Sequence, residues 1–134
     1  MRTDDEVRST AAALVAAFAS GDVRAYFGYF AADARFVFYT TAQTLGSRAE
    51  YEAEWSRWER EDGFRVLACD SSEQHVQDLG TVAVFTHRVH TRIATHEGEA
   101  EVHERETIVF RRDDGRWSAI HEHLSPLPEA VATD

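Results

Sequence analysis

Three residues, His87, Glu106 and Glu122, carry the side chains that general acid–base chemistry uses. An imidazole titrates near neutrality, and burial raises a carboxyl toward the same range. Each lies in a stretch of period-two alternation, which sorts side chains to opposite faces of a strand. Over Thr81–Thr95, Phe85, Val89 and Ile93 share a face with His87 and Thr91, opposite Thr86, Arg88, His90 and Arg92. Over Ala100–Arg111, Val102, Ile108 and Phe110 share a face with Glu104 and Glu106, opposite His103, Arg105, Thr107 and Arg111. Over Arg116–Leu124, Ile120 and Leu124 flank Glu122, opposite Trp117, His121 and His123. If these strands neighbour one another in sequence order, the three residues converge on one cavity. A histidine beside two acids in an apolar pocket can move a proton or orient a ligand. The same pattern also suits a satisfied core histidine with Glu104 or Glu106 paired across strands to an arginine, and the residues alone leave both open.

The opposite face carries His90, His103, His121 and His123, and His121-x-His123 has a spacing that some metal sites use. No third ligand is assigned, so neither a metal nor a cofactor is expected, and a subunit interface or solvated face accounts for the cluster. Cys69 has no activating base nearby in the pattern and is read as unreactive. Trp55 and Trp58 suit a core more than a ligand platform. Tyr39, Thr40 and Thr41 fit either a cavity mouth or a strand end.

The elements that position these residues come helices first, strands afterwards. Thr3 and Glu6 form a capping-box pattern that opens a helix, with Val7, Ala11, Leu14 and Phe18 at helical spacing and Gly21 as the stop. Asp22 caps a shorter helix carrying Val23, Tyr26, Phe27 and Phe30, and FVFYT from Phe36 reads as a buried strand. Ser47 and Glu50 open a third helix with Tyr51, Trp55 and Trp58 on one face. Four strand-like runs follow, about Phe64–Gln77, Thr81–Thr95, Ala100–Arg111 and Arg116–Leu124, separated by DLG, HEG and DDG. Short glycine-bearing breaks predict hairpins, hence an antiparallel meander. The fold class expected is α+β, a curved antiparallel sheet wrapped around the N-terminal helices.

The 134 residues suit one domain, expected over 1–125, with SPLPEAVATD giving a flexible tail over 126–134. Acidic residues number 24 against 14 basic, a net charge of −10, which disfavours a nucleic-acid partner. No apolar run reaches the length of a membrane span, the N-terminus MRTDDEVRST does not read as a signal peptide, and the single cysteine fits a reducing, cytoplasmic setting. A small-molecule ligand is the expected partner.

GDVRAYFGYFAADARFVFY, LGSRAEYEAEW and ERETIVFRRDDGRWSAIHEHLS together resemble the SnoaL-like branch of the nuclear-transport-factor-2-like superfamily, the cone-shaped, cystatin-like fold shared with ketosteroid isomerase. The last segment is also similar to the association domain of calcium/calmodulin-dependent protein kinase. The resemblance covers nearly the whole chain and implies an internal pocket lined by Leu14, Phe18, Phe38, Trp55, Phe85, Ile108 and Leu124. It specifies the reaction poorly, because this fold serves isomerases, dehydratases, hydrolases, cyclases and plain binding or oligomerisation modules. The positions matching the isomerase's catalytic tyrosine and aspartate are Leu14 and Phe38, which disfavours that mechanism. Positions matching pocket arginines of the kinase domain are His87, Ile108 and Leu124, so that positive charge is lost. The expectation is therefore either an acid–base enzyme acting on a small apolar metabolite, with His87 shuttling a proton and Glu106 and Glu122 supporting it, or a non-catalytic binding or oligomerisation domain. The resemblance further implies a homodimer paired through the outer sheet face, where alternation places Trp117, Val84, Val109 and Ala119.

Overall fold

A computed structural model describes residues 2–128. The order is α1 (Thr3–Ala19), α2 (Val23–Phe27), β1 (Phe30–Val37), α3 (Arg48–Asp62), β2 (Arg65–Asp78), β3 (Val82–Thr95), β4 (Gly98–Asp113) and β5 (Arg116–Pro126). The strands form one sheet in the order β1-β5-β4-β3-β2. The expected meander β2–β5 is present, antiparallel throughout. The sheet is nonetheless mixed, because β1 returns from the helices to pair in parallel with β5. At the β4–β5 turn, Asp114 and Gly115 take positive φ of 51° and 76°, the mirror-image turn that matches strand twist.

Three local readings are corrected. Thr3 caps nothing: the cap position is Arg2, and the Glu6 carboxylate instead accepts from Trp117 Nε1 at 2.9 Å. Phe30 belongs to β1, not to α2, which stops at Gly28. The strand expected from Phe36 begins at Phe30 and ends at Val37, leaving Tyr39–Thr41 outside it. The Ser47 box does form, with Ser47 Oγ accepting from Glu50 N–H at 3.2 Å and the Glu50 carboxylate accepting from Gly46 N–H. Gly63 then closes α3 in the left-handed conformation (φ 66°). Of the expected tail, Pro126 ends β5 and Leu127 N–H bonds the His103 carbonyl at 3.1 Å, while 129–134 lie outside the described residues.

The helices cover the inner face of the sheet, and the core between them holds Val7, Leu14, Phe36, Phe85, Ile108 and Phe110. Three bulges in the meander break strict alternation, at Leu67, at Glu73–Gln74 and at Ile120. In β4–β5, Val109 faces His121 but Phe110 faces Ala119, so Ile120 is an extra residue. The face of β5 therefore switches at Ile120. Trp117 and Ala119, expected outside, are buried in the core at 5% and 0% exposure, while Glu122 still points inward. Ile120, expected beside Glu122, is the residue displaced. The outer-face argument for a homodimer thus loses its largest apolar side chain, and keeps Val84 and Val109.

This face assignment is testable. Trp117→Ala should destabilise the fold by about 3–5 kcal/mol, as deletion of a buried indole does. An outward-facing Trp117 would cost only about 0.5 kcal/mol or less in the same urea titration.

Candidate functional site

Alternation does bring His87, Glu106 and Glu122 together. His87 and Glu106 are direct cross-strand partners, and Ile108 on β4 faces Glu122 on β5. His87 Nε2 lies 2.6 Å from Glu106 Oε1. Neither acid pairs with an arginine, and Glu104 instead accepts a 2.6 Å hydrogen bond from the Tyr39 hydroxyl.

The second bulge supplies what strict alternation could not show. Ser72 faces Arg88 and His75 faces Thr86, so Glu73 and Gln74 together stand opposite His87 alone, with Glu73 at φ 51°. Ser71 Oγ reaches His87 Nδ1 at 2.6 Å, and Gln74 Nε2 donates to Ser71 Oγ at 2.9 Å. The Gln74 amide is oriented by Arg8 on α1, whose guanidinium donates to Gln74 Oε1 at 3.4 Å and to Asp4 at 2.6 Å. Ser71 Oγ can accept from Gln74 and still donate to Nδ1, whereas a charged Glu106 can only accept. The imidazole then keeps its proton on Nε2 and donates it to Glu106.

Burial sets the protonation states. It lowers the His87 pKa to about 4, so the ring is neutral at pH 7. Burial, and then the charge of Glu106, pushes Glu122 well above the usual carboxyl range. Burial also raises Glu106, opposed by its hydrogen bond from Glu122. Two carboxyls this close in a dry site hold one proton between them: Glu122 keeps it and Glu106 carries the charge. Glu122 Oε1 is buried without a hydrogen-bond partner among the described residues. Glu104 is likewise raised by burial.

The pair faces the inner of two adjacent chambers. The inner one is small, about 50 Å³, and Glu106, Glu122, Tyr26 and Tyr51 lie on its wall with Leu14, Phe18 and Leu124. Phe18, Tyr51, Thr91, Glu104 and Leu124 are shared with an outer chamber of about 300 Å³, which opens past Phe38, Tyr39, Trp55 and Trp58. Five of the seven expected lining residues thus border the cavity. Phe85 and Ile108 do not: both are fully buried packing, with the Phe85 ring 4.7 Å from that of His87. His87 itself lines neither chamber, and its side chain is wholly covered, so it contacts Glu106 rather than anything in the cavity. Burial also raises the Cys69 thiol to about 11, which keeps it in the unreactive form.

A larger hollow, about 450 Å³, lies on the other side of the sheet between Arg88, Arg105, His75 and His123. It is an open charged trough, bordered also by His87 and Glu106, whereas Glu122 does not reach it. Of the four outer-face histidines, His90 and His103 stack at 4.2 Å, and with Glu101 they form an exposed group whose ligand atoms lie within 4.8 Å of one another. His90 already bonds Glu101 at 2.8 Å. His121 and His123 are 6.4 Å apart and stand outside that group.

N-terminal helices on an open, curved five-stranded sheet define an α+β domain. The profile of the SnoaL-like domain matches residues 7–129, and the chain belongs to that family. Similar solved structures include a putative calcium/calmodulin-dependent protein kinase II association domain from Xanthomonas campestris, at 22% identity and TM-score 0.77 over 93% of this chain and 88% of that one. An NTF2-like protein from Cytophaga hutchinsonii matches at 16% identity and TM-score 0.80, over 95% and 100%. An NTF2-like protein of unknown function from Pseudomonas putida matches at 21% identity and TM-score 0.74, over 99% and 94%. At these identities the likeness is one of fold, cystatin-like in the words used for a further relative from Nostoc punctiforme. No curated protein matches the chain. No helix among the described residues is long and apolar enough to cross a membrane.

The buried proton has a signature in stability. Above the ordinary carboxyl pKa, unfolding releases the proton that native Glu122 retains, so the native state loses stability as pH rises. Glu122→Gln removes that loss and keeps a donor toward Glu106. The variant should match the parent near pH 4 and gain on it by about 1.4 kcal/mol per pH unit above that, until native Glu122 ionises. Parallel denaturation curves from pH 4 to 8, with a constant difference, would show that Glu122 is ionised in the fold.

Proposed function

We propose that this domain takes a small molecule into the two-chambered cavity and moves a proton on it with the Glu106–Glu122 pair. The observation that carries this is the pair's placement: one charged and one protonated carboxyl on the wall of an inner chamber, with an unpartnered oxygen on Glu122. Glu106 is the base and Glu122 the acid, the division of labour that unequal environments give two neighbouring carboxyls. His87 is a positioning residue. It holds Glu106 through Nε2–H and is itself held by Ser71, so its role differs from the proton shuttle expected from sequence. The hydroxyls of Tyr26 and Tyr51, bonded to each other at 2.9 Å and kept protonated by burial, leave one further donor on the same wall.

A binding role without turnover is the second reading, favoured by the inner chamber's size. About 50 Å³ admits a single small group, so the reacting atom must be at the tip of whatever occupies the outer chamber.

A self-reporting carbon acid separates the two. 5-Nitrobenzisoxazole loses its C3 proton to a base, its N–O bond breaks, and a coloured phenolate is released. The domain should accelerate this elimination over buffer, with a rate that rises with pH as Glu106 ionises. Glu106→Gln should lower the rate by about 10²-fold or more while ligand affinity changes little. A parent protein no faster than buffer, which nevertheless binds the compound, supports the non-catalytic reading.

A further inference from the structure

The walls of this cavity have a consistent chemistry. All 14 basic residues of the chain are arginines, and none of them lines either chamber, nor does any histidine. The acids are on the inside instead: Glu106 and Glu122 at the bottom, Glu104 on the wall of both chambers, Asp62 at the rim. Around the outer chamber stand Phe38, Tyr39, Tyr51, Trp55 and Trp58. The Trp55 N–H is taken by Glu59 at 3.1 Å, a residue of neither chamber, so the indole meets the cavity as a π surface rather than as a donor.

Carboxyls gathered in a dry space are costly unless something neutralises them. In this protein no side-chain cation does so, and Glu122, 2% exposed, keeps a buried oxygen with no partner among the described residues. Aromatic rings attract cations through their faces, and a ring cluster beside a carboxylate is the usual means of holding an ammonium group.

We infer that the ligand of this cavity is an organic cation, an alkyl- or aryl-ammonium whose charged head sits between Glu104 and the Tyr51, Trp55 and Trp58 rings. This rests on the pocket reading above and narrows it from an apolar metabolite to a cationic one. The head occupies the outer chamber, whose volume of about 300 Å³ lies at the lower end for small-ligand pockets. A short uncharged arm reaches the inner chamber, where Glu106 and Glu122 stand. Asp62, largely exposed at the rim, draws the cation toward the mouth.

Phenyltrimethylammonium and tert-butylbenzene have nearly the same shape and differ by one charge, so comparing them isolates the cation. Binding is read from the indole N–H resonances of the three tryptophans, Trp55 and Trp58 at the cavity and Trp117 in the distant core as a control. The ammonium compound should shift Trp55 and Trp58 but not Trp117, and bind at least about tenfold tighter than the hydrocarbon. Glu104→Gln should remove most of that preference and leave hydrocarbon affinity unchanged. Should that variant fail to fold, Asp62→Asn carries the same comparison with a smaller expected loss. Equal or tighter hydrocarbon binding would overturn the cation assignment and leave the pocket standing. If neither compound shifts Trp55 or Trp58 at millimolar concentration, the pocket reading falls with it.

Discussion

The arrangement depends on one constraint: the inner face of the sheet buries Glu104, Glu122 and an imidazole, with Glu106 largely covered beside them, and no arginine balances them. An unpaired buried carboxylate is untenable, so protonation and hydrogen bonding must do what ion pairing does elsewhere. Glu122 keeps its proton, Glu104 accepts from Tyr39, and Glu106 accepts from a neutral His87. Glu106 is held through a chain of neighbours, His87, Ser71 and Gln74, out to Arg8 on the surface of α1. This order makes the site rigid on one side, while Glu122 Oε1 stays buried without a partner among the described residues.

Two backbone irregularities make that possible. The bulge at Glu73–Gln74 sets two residues of β2 against His87 alone and brings Ser71 and Gln74 to the imidazole. The bulge at Ile120 lets one strand bury both Trp117 near its start and Glu122 further along, which strict alternation forbids. Trp117 in turn ties β5 to α1 through Glu6, and Arg8, two residues further along α1, orients Gln74. Helix α1 therefore braces the sheet at both bulged strands.

The same irregularities mark the boundary of what the sequence showed. His87, Glu106 and Glu122 were legible because the segments from Thr81 to Val109 and from His121 to Leu124 keep a strict period of two. Glycine breaks gave the hairpins, and the helical spacing of Tyr51, Trp55 and Trp58 gave the third helix. Bulges have no compositional mark here, so Trp117 and Ala119 were read on the wrong face and Ser71 and Gln74 were not seen as partners of His87. The parallel pairing of β1 with β5 was hidden for another reason: it joins segments about 85 residues apart, which local pattern cannot relate. Tyr39 was left between two readings because its partner, Glu104, lies on a distant strand. Family resemblance gave the fold, but its expected cavity wall included Phe85 and Ile108, which are solid core.

The central claim is that the proton budget of the site is fixed: a neutral His87 with its proton on Nε2, donating to a charged Glu106 beside a protonated Glu122. Long-range ¹H–¹⁵N correlation spectra of the imidazole read this directly. The account predicts a protonated Nε2 and a bare Nδ1 for His87 between about pH 7 and pH 8, where Glu106 is charged, with a second ring proton added only on approach to pH 4. A His87 ring protonated on both nitrogens at pH 7 would contradict it.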